Sequence, residues 1–196
     1  MRTHTCNELR PEHNGQTATL IGWVNSRRDH GGVIFIDLRD REGMTQCVFR
    51  PEESAAAAKI SHTLRTEDVV QVTGVVEPRP EVEGKSTVNP NLPTGEIEIA
   101  ATELVIVNKA EVLPFQLDKE LSNEDLRLSH RFLDLRRPRM TKNLRTRHAV
   151  TKAARDYLDA QGYIEIETPI LSKSTPEGAR DFLVPSRMHP GSFYAL

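Results

Sequence analysis

The stretch from residue 22 to residue 49 constrains the fold most, because apolar and polar residues alternate along it between glycine-containing turns. It predicts three strands, at residues 16–25, 33–39 and 44–49. Successive side chains of a strand point to opposite faces, so Ile34, Ile36 and Leu38 would share an inner face. The pattern therefore predicts an antiparallel sheet with one apolar face and one polar face.

A helix and two further strands are predicted after this stretch. The helix opens at residues 51–54, PEES, and the strands cover 68–76 and 96–107. Between these two strands, residues 77–94 are rich in proline, glycine and asparagine and predict a long loop. Three strands, a helix and two strands is the element order of a five-stranded OB-fold β-barrel, an all-β fold with one helix. We expect this fold class for the first half of the chain.

The outer face of the second and third strands is the surface on which OB barrels bind oligonucleotides. Alternation places Phe35 there among charged residues, with Gln46 on the neighbouring strand and Arg28 just before the first turn. A ring can stack on a base, an amide can recognise its edge, and a cation can contact phosphate. The alternative interpretation is an ordinary sheet with one partly covered phenylalanine. Element order and side-chain chemistry agree, which favours nucleic-acid binding.

The composition is that of a globular domain without membrane or metal signals. Of the 196 residues, 37% are hydrophobic and 28% are charged, and this length suits one large or two small domains. No window approaches the length of a membrane span, and the N-terminal residues lack an apolar signal segment. Cys6 and Cys47 form neither a metal-ligand pair nor a disulfide framework. We expect two reduced thiols in a cytoplasmic protein without a metal site of its own.

A basic block runs from residue 127 to residue 155, although the net charge of the whole chain is only −2. It holds ten lysines or arginines against one acid, Asp134. Such a block can follow phosphate groups, or it can pair with acids elsewhere in the fold or in a partner subunit. The charge pattern alone leaves both interpretations open.

A second module is predicted at residues 130–196, after a linker or hinge at 108–129 that separates it from the barrel at 1–107. Helical spacing of apolar residues predicts a helix at 143–161, ended by Gly162, and a strand follows at 163–167. About 67 residues are few for a catalytic core, so we expect this module to be a fragment of a larger domain.

Four motifs resemble, in order along the chain, those of bacterial aspartyl-tRNA synthetases, which are class II enzymes. The first resembles their N-terminal anticodon-binding domain and comprises GWV at 22–24, RRD at 27–29, FID at 35–37, RDREG at 39–43 and Gln46. FLDLRRP at 132–138 resembles the entry to their catalytic domain, and GYIEIETP at 162–169 is similar to class II motif 1. TPEGARD at 175–181 resembles the mobile loop that closes over aspartate. The resemblance extends over essentially the whole chain, and it implies that residues 130–196 are the start of the α+β catalytic domain of a class II synthetase.

The resemblance implies an ATP-dependent ligase that joins L-aspartate to tRNA(Asp) through aspartyl-adenylate. It implies ATP and Mg²⁺ as cofactors and a homodimer built on motif 1. Motifs 2 and 3, with the ATP and metal contacts, would lie beyond Leu196. We therefore expect no catalytic residue and no metal ligand within the chain, and no activity of this chain alone.

Site residues follow from the same resemblance. Phe35 would stack on the middle base of the anticodon, Gln46 would recognise the edge of that base, and Arg28 would contact a base or the backbone. Arg79 and Glu98 match positions near the first and last anticodon bases.

The resemblance implies three further positions outside this group. Glu177 would contact the α-amino group of aspartate, whereas without the resemblance an exposed loop acid would be the favoured interpretation. His30 and Gly84 match positions that flank the anticodon site in family members with relaxed tRNA specificity. They imply that the enzyme charges tRNA(Asn) as well as tRNA(Asp).

Two alternatives remain open at this stage. One is a related class II synthetase for asparagine or lysine, which shares the barrel and motif 1; the TPEGARD loop and the long linker favour aspartate. The other is a free-standing OB module that binds nucleic acid without catalysis.

Overall fold

A computed structural model describes residues 1–82, 84–119, 123–174 and 181–196. The chain forms two compact units, Met1–Leu113 and Pro114–Leu196. The division between them falls within the range predicted as a linker, and the domain limits at 107 and 130 stay predictions. Among the described residues, none of the helices combines the length and the apolar character that crossing a membrane requires.

Five long strands and one helix make up most of the first unit, with a small hairpin between the last two strands. A 3-10 turn, Pro11–His13, precedes them. The elements are β1 (Thr17–His30), β2 (Val33–Arg39), β3 (Met44–Phe49), α1 (Ala55–Ser61), β4 (Val69–Pro78), β5 (Glu81–Val82), β6 (Lys85–Ser86) and β7 (Ile97–Asn108).

The strands close into a barrel in the order β1-β2-β3-β7-β4, which confirms the predicted five-stranded OB fold. All neighbours are antiparallel except β3 and β7, which pair in parallel through Cys47 with Ile99 and Val48 with Ala100. At Gly74 a Cβ atom would lie 2.1 Å from the carbonyl oxygen of Ala100. Glycine is needed there because β4 and β7 approach too closely for a side chain.

The barrel core contains the inner residues of β2, because Ile34, Ile36 and Leu38 are fully buried. This confirms the predicted alternation, since Phe35 between them is only partly buried. Ala57 of α1 packs into the same core. The inner face of the barrel is therefore the apolar face that the sequence pattern predicts.

The limits of β1 and of α1 differ from the predictions for physical reasons. β1 continues to His30, because Gly31 and Gly32 both have positive φ (63° and 90°) and form a tight two-residue hairpin turn. The helix begins at Ala55 and not at residue 51, because the side chain of Ser54 accepts a hydrogen bond from the Ala57 N–H and caps it.

The second unit contains three helices and one short hairpin among its described residues. They are α2 (Glu124–Ser129), α3 (Arg131–Asp134), α4 (Pro138–Ala160), β8 (Leu183–Pro185) and β9 (Phe193–Ala195). Pro138 occupies the first turn of α4, so this helix begins five residues before the predicted start at 143.

The strand predicted at residues 163–167 is wrong for this chain, because these residues have no strand pairing. A strand exists only where a second backbone supplies its hydrogen bonds, and the alternating sequence cannot supply that partner. The side chain of Glu165 instead accepts two hydrogen bonds from Nε of Arg155, at 2.9 and 3.0 Å.

The basic block is partly neutralised within its own unit. Asp134 is fully buried and forms ion pairs with Arg127, Arg131 and Arg137, and the hydrogen bonds from Arg127 and Arg137 hold its pKa below the usual range. On α4, Lys152 pairs with Asp156 at 2.6 Å. Several cations of the block therefore pair with acids of this chain, as the second interpretation of the charge pattern proposed.

Candidate nucleic-acid interface

A row of polar residues crosses the outer face of the barrel from strand to strand. Ser26 of β1 lies opposite Asp37 of β2, which lies opposite Gln46 of β3. Glu98 of β7 directly precedes Ile99, the pairing partner of Cys47, so it neighbours Gln46. The register of the barrel therefore brings together residues that are far apart in the sequence.

Hydrogen bonds connect this row into a continuous chain, which we call the outer-face network: Arg28, Asp37, Gln46, Arg50 and Glu98. Nη2 of Arg28 donates to Oδ1 of Asp37 at 3.1 Å and to Oε1 of Gln46 at 3.2 Å. Nε2 of Gln46 donates to Oε2 of Glu98 at 2.9 Å, and Nη2 of Arg50 donates to Oε1 of Glu98 at 2.7 Å. Each side chain is held by at least one neighbour from another strand.

Gln46 and Glu98 lie on the outer face but are buried, with only 6% and 1% of their surfaces exposed. The alternation pattern predicts their face correctly, but it does not show that neighbouring side chains cover them. Burial raises the pKa of the Glu98 carboxyl above its ordinary value, and Arg50, Gln46 and Arg79 oppose that shift. Glu98 is therefore a positioning group for Gln46 and not a free surface acid.

Arg50, which directly follows β3, forms ion pairs with three carboxylates. It donates to Glu53 at 2.7 Å and to Glu77 at 3.4 Å in addition to Glu98. Burial lowers the pKa of Arg50, but these acids, Glu53 first, outweigh burial and raise it overall. The result is a fixed cation that holds Glu98 in place.

Phe35 lies next to this network at the hairpin end of β2. It pairs in register with Arg28 on one side and with Val48 on the other. The ring of His30 meets the ring of Phe35 edge-on, with centroids 5.7 Å apart and planes at 75°. The site thus combines a partly exposed aromatic ring with a hydrogen-bonded amide on the next strand.

Arg79 and Gly84 belong to the hairpin region that follows β4. Nε of Arg79 donates to the Ile97 carbonyl at 3.2 Å, and Nη1 donates to the Thr87 carbonyl at 3.3 Å. Its Nη2 is buried and has no hydrogen-bond partner among the described residues. A buried donor without a partner is destabilising, and a ligand acceptor could satisfy it. Gly84 lies in the exposed β5–β6 turn with φ +73°.

The structure brings Arg28, Phe35, Gln46, Glu98 and His30 to one face. Glu177 lies outside the described residues. Asp37 and Arg50, which orient Arg28 and Glu98, are absent from the predicted site. Asp37 shares the strand face of Phe35, and Arg50 shares that of Gln46, because each is an even number of residues away; this alternation was the available signal for them.

Neither cysteine offers a reactive thiol. Both are free and buried. Burial, with Asp40, raises the pKa of Cys6 to about 12, and burial raises that of Cys47 well above its ordinary value. A thiol that stays protonated is a poor nucleophile and a poor metal ligand, so both residues serve the core.

The side chains on this face are of the kinds that contact nucleic-acid bases and phosphates. A ring stacks on the face of any base, whereas an amide with a fixed direction presents one acceptor and one donor to a base edge. Arg28 adds a cation whose side chain is 49% exposed to solvent. Together these groups suit a short single-stranded or loop segment of nucleic acid.

Comparisons with known proteins match both units. Residues 18–107 match the family model described as an OB-fold nucleic acid binding domain. Residues 123–196 match the model of class II tRNA synthetases (D, K and N).

Curated relatives and solved structures agree with these models. The chain is 53% identical over 200 residues to an aspartate–tRNA(Asp/Asn) ligase of Salinibacter ruber and 56% identical over 196 residues to that of Halothermothrix orenii. Both alignments cover the whole of this chain, which spans about a third of the length of the two relatives, 31% and 32%. A crystal structure of asparaginyl-tRNA synthetase from Pyrococcus horikoshii, complexed with asparaginyl-adenylate, superposes with a TM-score of 0.82 at 25% identity. That match covers 98% of this chain and 42% of the other. The chain belongs to the aspartyl-tRNA synthetase family of class II tRNA synthetases.

Proposed function

We propose that the protein containing this chain is an aspartate–tRNA ligase and that the outer face of its barrel recognises the anticodon of tRNA(Asp). The observation that carries the proposal is the placement of Phe35 beside the hydrogen-bonded amide of Gln46 on the binding face of an OB barrel. The relatives at 53% and 56% identity are aspartate–tRNA(Asp/Asn) ligases, and they support the choice of substrate.

Each residue of the site has a separate part in this proposal. Phe35 stacks on the middle anticodon base, and Gln46 forms hydrogen bonds with the edge of that base. Arg28 contacts a neighbouring base or its phosphate, and the unpartnered Nη2 of Arg79 donates to a flanking nucleotide. Glu98 acts through Gln46, because its carboxylate accepts the amide hydrogen bond that sets the direction of Gln46.

The proposed reaction consumes ATP and requires Mg²⁺. The described residues contain no group of three or more His, Cys, Asp or Glu side chains that could hold a metal ion. The proposal routes no step of the reaction through a metal held by these residues and gives this chain the recognition of tRNA. Contact of Glu177 with the α-amino group of aspartate stays a proposal from the family resemblance.

Two finer points belong to the same proposal. The first is that His30, whose ring contacts Phe35, and Gly84, which lies between β5 and β6, allow both tRNA(Asp) and tRNA(Asn) to be charged. The second is that the second unit forms a homodimer through α4 and the residues that follow it.

The function is tested by aminoacylation with the full-length protein. We expect radiolabelled aspartate to be attached to a tRNA(Asp) transcript in the presence of ATP and Mg²⁺, with no attachment of asparagine or lysine. Attachment of asparagine or lysine instead would assign the protein to a related class II synthetase. Binding of tRNA without attachment of any of the three amino acids would support a nucleic-acid-binding module and overturn the proposal.

A further inference from the structure

A concave pocket of about 530 Å³ lies in the first unit, next to the β1–β2 hairpin. We call it the basic pocket. Its lining comes from the end of β1, the segment after α1 and the segment after β7: Arg27, His62, Thr63, Leu64, Arg65, Asp68, Lys109 and Ala110. None of these residues belongs to the outer-face network, and the site described above does not use this pocket, although Arg27 is part of the RRD motif at 27–29.

A single buried carboxylate shapes the basic pocket. Asp68 is 2% exposed, and its two oxygens accept backbone hydrogen bonds from Arg65 at 2.9 Å and from Ala110 at 2.8 Å. This ties the segment after α1 to the segment after β7. Because its oxygens are taken by backbone N–H groups, Asp68 sets the positions of Arg65 and Lys109 without forming an ion pair with their side chains.

Three cations of the pocket have no partner of their own. Within the described ranges, the side chains of Arg27, Arg65 and Lys109 form no hydrogen bond and no ion pair. Most other arginines of this unit do form ion pairs: Arg2, Arg28, Arg39, Arg41 and Arg50. Unpaired cations around one concavity repel each other, and a bound anion would relieve this repulsion.

The basic pocket adjoins the candidate anticodon site through two neighbouring residues of β1. Successive residues of a strand point to opposite sides, so Arg27 faces the pocket while Arg28 contacts Asp37 and Gln46. Their Cα atoms are about 3.8 Å apart, as in any trans peptide. A nucleic-acid strand that passes the hairpin could therefore contact both arginines.

We propose that the basic pocket binds a phosphate group of the tRNA backbone, next to the nucleotides that contact Phe35 and Arg28. This inference rests on the proposed function. The pocket supplies affinity without reading sequence, because phosphate contacts carry no base information. It would also fix the register of the RNA relative to Phe35.

The test measures binding of a tRNA(Asp) transcript to the 196-residue chain at several salt concentrations. We expect Arg27→Ala and Arg65→Ala each to weaken binding about 3- to 10-fold at the lowest salt. Each should also lower the slope of log K against log salt by about 0.7–0.9, the value for one lost phosphate contact. The matched control is Lys59→Ala, which removes an exposed cation of α1 outside the pocket and should change neither quantity. A thermal melt of each variant establishes that the fold is retained.

Phe35→Ala separates this inference from the proposed function. If Phe35→Ala weakens binding but the two pocket variants behave like Lys59→Ala, the pocket proposal is overturned and anticodon recognition stands. If neither Phe35→Ala nor the two pocket variants weaken tRNA binding, both proposals fail.

A titration with inorganic phosphate, followed through the backbone amide signals of Arg65 and Ala110, distinguishes a free anion from RNA. Saturation by phosphate, combined with unchanged tRNA binding of the pocket variants, would identify a free-phosphate site and reject the RNA contact.

Discussion

The amide of Gln46 is joined to the carboxylate of Glu98 by a hydrogen bond of 2.9 Å between side chains that are both almost fully buried. A carboxylate only accepts, so the NH₂ group of Gln46 must face Glu98 and its oxygen must face Arg28. The direction of the amide, and with it the pattern of donor and acceptor offered to a base, is set by two residues on other strands. This relationship makes Glu98 a testable positioning residue.

Phe35→Ala should weaken tRNA binding and leave the barrel folded. Loss of one base–ring stack costs about 1–3 kcal/mol, or roughly 5- to 150-fold in affinity. The ring is partly exposed on the outer face, so we expect only a small change in melting temperature. The neighbouring Ile36→Ala is the control, because removing this fully buried side chain should cost about 2–5 kcal/mol of stability. A melting temperature of Phe35→Ala as low as that of Ile36→Ala would show that the assignment of faces is wrong.

Glu98→Gln should reduce discrimination between anticodon bases more than it reduces general affinity. Without the carboxylate, the amide of Gln46 can turn over and exchange donor for acceptor. We expect the preference for the cognate middle base to fall by about 10-fold, or ~1.4 kcal/mol, in binding to anticodon-loop variants. Glu77→Gln is the matched control, because it removes a weaker contact of Arg50 at 3.4 Å and leaves Gln46 and Glu98 joined. An equal loss of affinity for all loops would contradict the positioning role.

Stability should depend on pH in opposite directions through Glu98 and Asp134. Burial raises the pKa of Glu98, so the folded state binds its proton more tightly than the unfolded chain does. Its contribution is then greatest below the ordinary glutamate pKa of about 4.3 and is lost as pH rises through the higher folded value. Hydrogen bonds from Arg127 and Arg137 lower the pKa of Asp134, so its contribution is present at neutral pH and is lost as pH falls through the lowered value.

Urea titrations between pH 3 and pH 7 would check both directions. Relative to Glu98→Gln, the wild type should lose stability as pH rises through the glutamate range. Relative to Asp134→Asn, it should gain stability as pH rises from the acid end. Parallel curves for the wild type and either variant would contradict the corresponding assignment.

The full-length enzyme should attach aspartate to tRNA(Asn) at a rate within about 100-fold of that for tRNA(Asp), a gap of ~2.7 kcal/mol. The two anticodons differ at one base. The exposed His30 contacts the ring of Phe35, and Gly84, between β5 and β6, has no side chain that could exclude a base. Aminoacylation of purified tRNA(Asn) with aspartate measures this rate. Charging slower by more than 100-fold would reject relaxed specificity.

The full-length protein should be a dimer at micromolar concentration. No residue of α4 is buried within this chain. The apolar side chains of Val150, Tyr157 and Leu158 on this helix are 65%, 67% and 47% exposed. Light scattering should show a dimer that Tyr157→Asp weakens. His148→Asp, on the opposite side of α4, is the control and should have no effect. A monomeric mass for the unmodified protein would exclude the interface.

Much of the barrel could be predicted from sequence because its determinants are local. The alternation in β2 reports which side chains share a face, and β2 and β3 have the predicted limits. The resemblance to synthetases rests on short motifs, such as FID at 35–37, that are also visible without a structure.

The sequence by itself determined which segments along the chain form strands and that Phe35 points outward. Both depend on the period of two in a strand and on glycine turns, which act within a few residues. Only the tertiary structure decided that Gln46 and Glu98 are buried, since the two residues are 52 positions apart and meet through the parallel pairing of β3 with β7. It also decided that residues 163–167 form no strand, because pairing needs a second backbone. Contacts of this kind depend on register between distant segments, and local periodicity carries no information about register.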